Sequence, residues 1–158
     1  MVNVFDPSWE YVSEEPFLLR AARVGAQAGS ARLGASLYEL GPGAAASPYH
    51  AHHGNEELLV VLSGRPMLRA PGGERHLAAG EVVSFPAGPD GTHRVENHDP
   101  EPARVLILST MQFPDLVEHP DSRQLLALFG SPLGGGQLLA FRLADAVDLS
   151  AGDPAQDS

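Results

Sequence analysis

Residues 50–64 read HAHHGNEELLVVLSG, a stretch that places three imidazoles and two carboxylates beside an apolar run typical of a β-strand. Alternate side chains on a strand point to the same face, so His50 and His52 are able to reach one ion, whereas His53 points to the opposite face. Two imidazoles and a carboxylate suit zinc, nickel, copper, manganese or iron. The alternative is a polar hairpin tip that binds no metal.

The turn inside this stretch determines which carboxylate accompanies the histidines. The Gly54-Asn55 pair is typical of a two-residue type II′ hairpin turn. That turn predicts a hairpin in which His52 lies opposite Glu57, and directly opposed residues share a face of the sheet. We therefore expect Glu57, rather than Glu56, to join the histidines.

Length and composition indicate a β-rich globular domain. The chain has 158 residues, of which 43% are hydrophobic and 19% are charged, as in folded proteins. Its 17 glycines and 14 prolines favour frequent turns over long helices. Short apolar segments recur at intervals of about ten residues between Gly and Pro, which is typical of a sandwich or barrel rather than of βαβ units.

The strands predicted from these segments extend along most of the chain. They cover residues 17–20, 33–40, 66–70, 74–77, 81–85, 104–110, 124–129 and 137–141. Loops or turns are predicted at 23–30, 112–115, 119–122 and 130–136. A short helix over 123–128 is the alternative to a strand there. Trp9 is expected to pack an N-terminal arm against the barrel or a second subunit.

Charge and missing residue types exclude several classes of function. A net charge of -10 and a pI near 5.0 repel nucleic acid and anionic membranes, so neither is an expected partner. The chain has no lysine and no cysteine, which excludes Schiff-base catalysis, thiolate ligands and disulfides. No signal-peptide pattern is visible, and the apolar runs are far shorter than the roughly 18 residues of a membrane helix. We therefore expect a cytoplasmic protein.

A turn-rich segment over 86–97 delivers a further histidine to the start of a strand. There His93, Val95 and Asn97 alternate and share one face. His93 is thus available as a fourth ligand if this strand packs against the 50–64 stretch. The remaining histidines are predicted to be on the surface or hydrogen-bonded: His76, His98 and His119.

These residues follow the order of two motifs, and the chain resembles the cupin family that carries them. The first motif, G-x5-H-x-H-x3,4-E-x6-G, matches His50, His52, Glu57 and Gly64. The second, G-x5-P-x-G-x2-H-x3-N, matches Gly80, Pro86, Gly88, His93 and Asn97. Two spacings differ: six residues rather than five separate Gly43 from His50, and four rather than two separate Gly88 from His93. Both departures lie in loops.

The resemblance implies an all-β, double-stranded β-helix, or jelly-roll barrel, with N- and C-terminal extensions. We expect one cupin domain with its core at about 33–110, an arm at 1–32 and an extension at 111–158. The family's usual metal set falls on four residues of this chain: His50, His52, Glu57 and His93. Cupins often form dimers through terminal strands, so a homodimer is expected, with Trp9 and the 124–141 hairpin as its candidates.

For function, the first hypothesis is a metal-dependent enzyme, namely a small-molecule dioxygenase that uses one divalent iron, nickel, manganese or zinc ion. Glu57 would be a ligand and also a base, and Tyr38 and Tyr49 are candidates for acid–base work. An isomerase or lyase would need the same residues. The alternative from another class is a module that binds a sugar or anion without turning it over. In a third reading the metal merely stiffens the barrel.

Overall fold

Thirteen strands form the framework of the computed structural model, which describes residues 1–13, 18–130 and 135–148. The strands are β1 (Tyr11–Val12), β2 (Leu19–Ala22), β3 (Gly34–Leu40), β4 (Ala51–His52), β5 (Glu57–Ser63), β6 (Met67–Ala70), β7 (Gly73–His76), β8 (Val82–Phe85), β9 (Arg94–Glu96), β10 (Ala103–Ser109), β11 (Asp115–His119), β12 (Gln124–Phe129) and β13 (Gln137–Arg142). One helical turn, α1 (Val24–Gln27), follows β2, and short 3-10 turns lie at Pro89–Gly91 and Leu143–Asp145.

The strands pair antiparallel in three sheets that enclose one apolar core. The sheets have the orders β1-β2-β3-β10-β5-β8, β13-β12-β11-β4 and β7-β6-β9. Strand β5 shows the expected alternation, since Leu59 and Val61 are buried while Leu58 is exposed. Leu59 and Val61 pack with apolar residues of the facing sheet, among them Leu68 and Val95. The predicted all-β, jelly-roll barrel is confirmed.

The predicted hairpin at Gly54-Asn55 is wrong. Strand β4 pairs with β11, whereas β5 pairs with β10 and β8, so the two halves of the 50–64 stretch belong to different sheets. Gly54 also lacks the positive φ that a type II′ turn requires. Asn55 explains the departure. Its buried side chain accepts hydrogen bonds from the Thr110 hydroxyl and the Gln112 N–H, at 2.9 and 2.6 Å, and so ties the segment to the end of β10.

Two further predictions from local sequence are wrong, and one alternative is resolved. Residues 23–30, predicted as loop, contain the helical turn α1. Residues 115–119 form strand β11, where turns were predicted on both sides. Residues 124–129 are a strand, so the alternative helix over 123–128 is wrong. Each of these segments is stabilised by contacts with a neighbouring strand, and such contacts are not visible in a short stretch of sequence.

The N-terminal arm packs on the barrel through Trp9, as predicted. Trp9 contacts a second apolar cluster built on Ala22, Val24 and Leu37. The guanidinium of Arg20 lies 5.6 Å from the centre of its indole ring, and that of Arg104 lies 5.7 Å away. These stacked cations add a cation–π attraction to the apolar contact.

Some predictions fall beyond the described residues or stay untested. Phe17, at the start of the first predicted strand, residues 131–134 of the predicted loop and the end of the tail from 149 onwards lie outside the described residues. All six residues of β13 are exposed at the edge of its sheet, and their part in a homodimer stays a prediction. Among the described residues, no helix is both long and apolar enough to cross a membrane.

Gly64, directly after β5, provides a test of the close packing between the end of β5 and the start of β10. Its φ is +79°, and an added Cβ would lie 2.6 Å from the Cα of Ala103. We expect Gly64→Ala to lower the free energy of unfolding by about 2 kcal/mol, because both the left-handed backbone and the close approach oppose a side chain. Gly72→Ala is the matched control, since nothing lies within 4 Å of its added Cβ. Equal urea midpoints for the two variants would contradict this packing.

Candidate metal centre

Three histidine rings and one carboxylate converge at one end of the core. The Nε2 atoms of His50, His52 and His93 lie 4.0, 3.7 and 3.4 Å from one oxygen, Oε2 of Glu57. His50, His52 and Glu57 each offer a ligand atom within 4.8 Å of the others'. His93 is only 2% exposed and stacks on Phe85 at a centroid distance of 3.7 Å. The structure thus brings together the four residues predicted as metal ligands.

Backbone pairing between distant segments assembles this cluster. His50 and His93 form an isolated antiparallel bridge, with N–H to carbonyl distances of 3.1 and 2.8 Å in the two directions. His52 follows two residues later on β4, and its carbonyl accepts the N–H of Gly88 at 2.7 Å. Glu57 is the first residue of β5 and faces inward with Leu59. The face argument therefore selects the carboxylate correctly, although the pairing behind it was wrong.

Hydrogen bonds at the outer nitrogen fix the orientation of each ring. Nδ1 of His50 lies 2.9 Å from the carbonyl of Pro48, and Nδ1 of His93 lies 2.9 Å from that of Gly91. A carbonyl only accepts, so in both rings Nδ1 carries the proton and Nε2 presents a lone pair. Nε2 of His93 is buried without a hydrogen-bond partner. An inward lone pair with no donor is what a metal ligand requires, so the residues fit a divalent ion.

Burial and mutual repulsion keep two of the imidazoles neutral. Burial, followed by the nearby rings of His93 and His52, lowers the pKa of His50 to about 3. Burial lowers the pKa of His93 to about 4, with a further contribution from His52. Burial also raises the pKa of Glu57. Neutral imidazoles are the form in which histidine binds a metal, so the apoprotein has these two ligands ready at neutral pH.

Asp115 is a site residue that the sequence did not reveal. Its side chain is buried at 1% exposure, and Oδ2 lies 2.6 Å from Nδ1 of His52. Its other oxygen accepts the N–H of Gly54 at 2.8 Å. Burial opposes protonation of His52, but the hydrogen bond to Asp115 and the charge of Glu57 raise its pKa. Asp115 was predicted to lie in a turn. The one sequence signal for its inward side chain is the alternation along β11, and that strand was not predicted.

The second motif contributes a structural asparagine besides its histidine. Asn97 is fully buried, and its amide donates to the carbonyls of Leu40 and Glu101 at 2.9 Å each. Its side-chain oxygen Oδ1 accepts the N–H of Asp99 at 3.1 Å. Asn97 therefore holds the turn after β9 against the end of β3.

The two tyrosines predicted for catalysis lie in different places. Tyr38 lines a cavity beside Glu57, and burial raises the pKa of its phenol despite a hydrogen bond with Ser36. Tyr49 is half-buried beneath Arg69, whose guanidinium lies 3.9 Å from the ring centre. Among the described residues that line the cavity, Tyr49 does not occur.

The residues predicted to face outward do so, with one exception. Nε2 of His53 pairs with Glu118 at 3.1 Å, and Glu56 accepts the Ser84 hydroxyl at 3.2 Å. His98 pairs with Glu96, and His76 lies against the carbonyl of Arg65. His119 differs from the prediction. It lies at the edge of the cluster, and its ring stacks on that of His50 at 5.9 Å.

A cavity of about 460 Å³ opens beside the cluster. His52 and Glu57 line it, together with Tyr38 and Asp115, whereas His50 and His93 are not among its described lining residues. Its volume is within the range of small-molecule pockets. An ion held by the four residues would therefore face the cavity on the side of His52 and Glu57.

Comparison with known families identifies the fold. A family model described as "Cupin domain" matches residues 36–109, which contain all four converging residues. Residues 36–109 form a cupin domain. A comparison with curated protein sequences finds no match.

Several solved structures resemble the chain over most of its length. A "Putative sugar phosphate isomerase" from Acidithiobacillus ferrooxidans is 26% identical, with a TM-score of 0.74 over 84% of this chain and 81% of that one. A sugar phosphate isomerase from Silicibacter pomeroyi is 23% identical, with a TM-score of 0.77 over 92% and 94%. A "predicted oxalate decarboxylase" from Thermotoga maritima is 19% identical, with a TM-score of 0.55 over 70% and 97%. The last two likenesses establish the fold alone.

The lowered histidine pKa values predict an acid-sensitive metal-free protein. Between about 4 and the ordinary 6.5, the unfolded chain binds a proton at residue 93 that the folded chain does not. The free energy of unfolding therefore falls as the pH falls through this window, by up to about 1.4 kcal/mol per pH unit for each such histidine.

The raised pKa values of His52 and Glu57 have the opposite effect, since they make the free energy of unfolding rise as the pH falls. The contribution of His93 is therefore measured by comparing a variant with wild type. His93→Gln should lose less stability than wild type between about pH 7 and about pH 5 in urea unfolding. Identical pH dependence in the two proteins would show that His93 is not held neutral.

Proposed function

We propose that this cupin is a metal-dependent enzyme that acts on a small organic molecule. One divalent iron, nickel, manganese or zinc ion would be held by His50, His52, His93 and Glu57. The observation that carries this proposal is the convergence of three inward Nε2 atoms on one Glu57 oxygen, at 3.4 to 4.0 Å. Three neutral donors and one carboxylate would leave an ion with net positive charge and open positions.

The cavity supports catalysis over a purely structural ion. A structural metal site is closed, whereas a catalytic site keeps a side open to substrate. Here two of the four proposed ligands, His52 and Glu57, line a cavity large enough for a small molecule. When bound, the ion would act as a Lewis acid and, if redox-active, would support oxygen chemistry.

The protein's own contribution beside the ion centres on Tyr38. Its raised pKa keeps the phenol protonated at neutral pH, and Ser36 lies within hydrogen-bond reach of it. A protonated phenol beside Glu57 would donate a hydrogen bond to a ligand oxygen and orient it. We assign no such role to Tyr49, which stacks beneath Arg69.

We favour a dioxygenase-like reaction, because an ion open to the cavity has room for both substrate and oxygen. Isomerisation is the second candidate, and the 26% identity to the A. ferrooxidans protein supports it. Oxygen uptake by the iron-loaded protein separates the two, since isomerisation consumes no oxygen. A metal-loaded protein that binds ligands but turns over none would instead be a binding module.

Metal content of matched variants tests the proposed ligand set. We expect about one transition-metal ion per untagged chain by elemental mass spectrometry, lost in His52→Ala and Glu57→Gln. His53→Ala and Glu56→Gln are the controls, because these neighbours bond to Glu118 and Ser84 instead. Equal metal loss in a variant and its control would contradict the assignment.

Asp115 is proposed as a positioning residue for His52. Its carboxylate holds Nδ1 at 2.6 Å, which aims Nε2 at the ion site. Asp115→Asn should weaken nickel binding by roughly 10- to 100-fold in chelator competition, because the amide aligns the ring less strongly. Asp121→Asn is the control, since that carboxylate is exposed and pairs with Arg69. Unchanged nickel affinity in Asp115→Asn would overturn the role.

A further inference from the structure

The cavity beside the proposed ion site has polar groups next to the proposed ligands and an otherwise largely apolar lining. The polar lining around the proposed ligands is made of Glu57, His52, Asp115, Tyr38 and Ser36. The walls are made largely of apolar side chains: Ala26, Ala31, Leu33, Ala35, Ile107, Met111, Phe113 and Leu128.

Met111 is part of the apolar wall and packs closely against Gly34. Met111 has a positive φ of 54°, and its Sδ lies 2.7 Å from the place that a Cβ on Gly34 would take. The thioether thus occupies space left by the missing side chain of Gly34. The Met111 side chain thereby adds apolar surface to the cavity wall, against which an apolar part of a ligand would pack.

Most polar groups along the walls are already engaged. The carboxylate of Glu10 binds Nε of Arg23 at 2.6 Å and also accepts the Gln27 amide at 2.7 Å. Asn55 is tied to Thr110 and Gln112, as described above. The hydroxyl of Ser30 donates to the carbonyl of Leu33 at 2.7 Å.

The charge balance of the lining disfavours a phosphate group. Besides the proposed ligand His52, Arg23 is the one basic side chain among the described lining residues, and Glu10 neutralises it. The acidic lining residues are Glu57 and Asp115. A phosphate dianion away from the ion would therefore lose its hydration against apolar walls without gaining a charged partner, which is costly.

We infer that the cavity takes an organic acid with one oxygen-bearing head and an apolar body, rather than a sugar phosphate. This rests on the proposed function, because the head is placed at the ion and at the hydroxyl of Tyr38. The apolar body then lies along the walls around Leu33, Ile107 and Leu128. One polar head and an apolar body match a lining that is polar around the proposed ligands and largely apolar elsewhere.

Calorimetric titration of the nickel-loaded protein tests this substrate class with acetate, hexanoate, ribose 5-phosphate and inorganic phosphate. Each methylene that enters the walls should raise affinity about fourfold, so hexanoate should bind at least roughly tenfold more tightly than acetate. Ribose 5-phosphate should bind no more tightly than inorganic phosphate. Tighter binding of ribose 5-phosphate than of hexanoate would overturn the inference.

A matched pair of leucine variants locates the binding. Leu33 lines the cavity and is 50% exposed, whereas Leu116 is 44% exposed and is not among the described lining residues. Leu33→Asp should weaken hexanoate binding at least roughly tenfold, because the apolar body would meet a carboxylate. Leu116→Asp should leave it unchanged. Equal effects of the two substitutions would contradict binding in this cavity.

Nickel titration of the same proteins separates this inference from the proposed function. Leu33→Asp should bind nickel as wild type does, since Leu33 is not a proposed ligand. If wild type binds no nickel, the proposed function fails. The difference between hexanoate and acetate, measured without metal, then still tests the apolar walls, and no difference would overturn them.

Discussion

Burying a carboxylate among three imidazoles is the constraint on which the centre of this barrel depends. Glu57 starts the central strand β5, and its oxygen is the point where His50, His52 and His93 meet. Burial raises the pKa of Glu57 and lowers the pKa values of His50 and His93, so both of these imidazoles stay neutral. Such a group is costly in an apolar core unless a positive charge compensates it. The proposed divalent ion would supply that charge, and Asp115 would supply the orientation.

The sequence was sufficient for the fold class, which follows from short-range strand patterns, and the two motifs of the cupin resemblance were sufficient to name the four proposed ligands. Alternation along β5 places Glu57 inward with Leu59, whichever strand pairs with β5. The partner of β4 was not predictable in this way. Gly54-Asn55 has the local features of a hairpin turn, yet the buried amide of Asn55 bonds to residues more than fifty positions later. Long-range hydrogen bonds of this kind leave no periodic signal.

Asp115 and His119 were missed for a related reason. The strand that carries them is short and lies between Pro114 and Pro120, so its segment resembles a pair of turns. Pairing with β4 and β12 makes it a strand and turns residues 115, 117 and 119 towards the interior. Asp115 can therefore be recognised as the hydrogen-bond partner of His52 only from the pairing of β4 with β11.

The match to the cupin family ends at residue 109, while much of the cavity wall lies outside it. Lining residues between 23 and 35 precede the match, and Met111, Phe113 and Leu128 follow it. The proposed ligands lie within the part of the chain that matches the family, and the surfaces that would contact a bound molecule belong largely to its two flanks. Changes confined to the flanks would thus be able to alter which molecule is accepted while the coordinating residues stay in place.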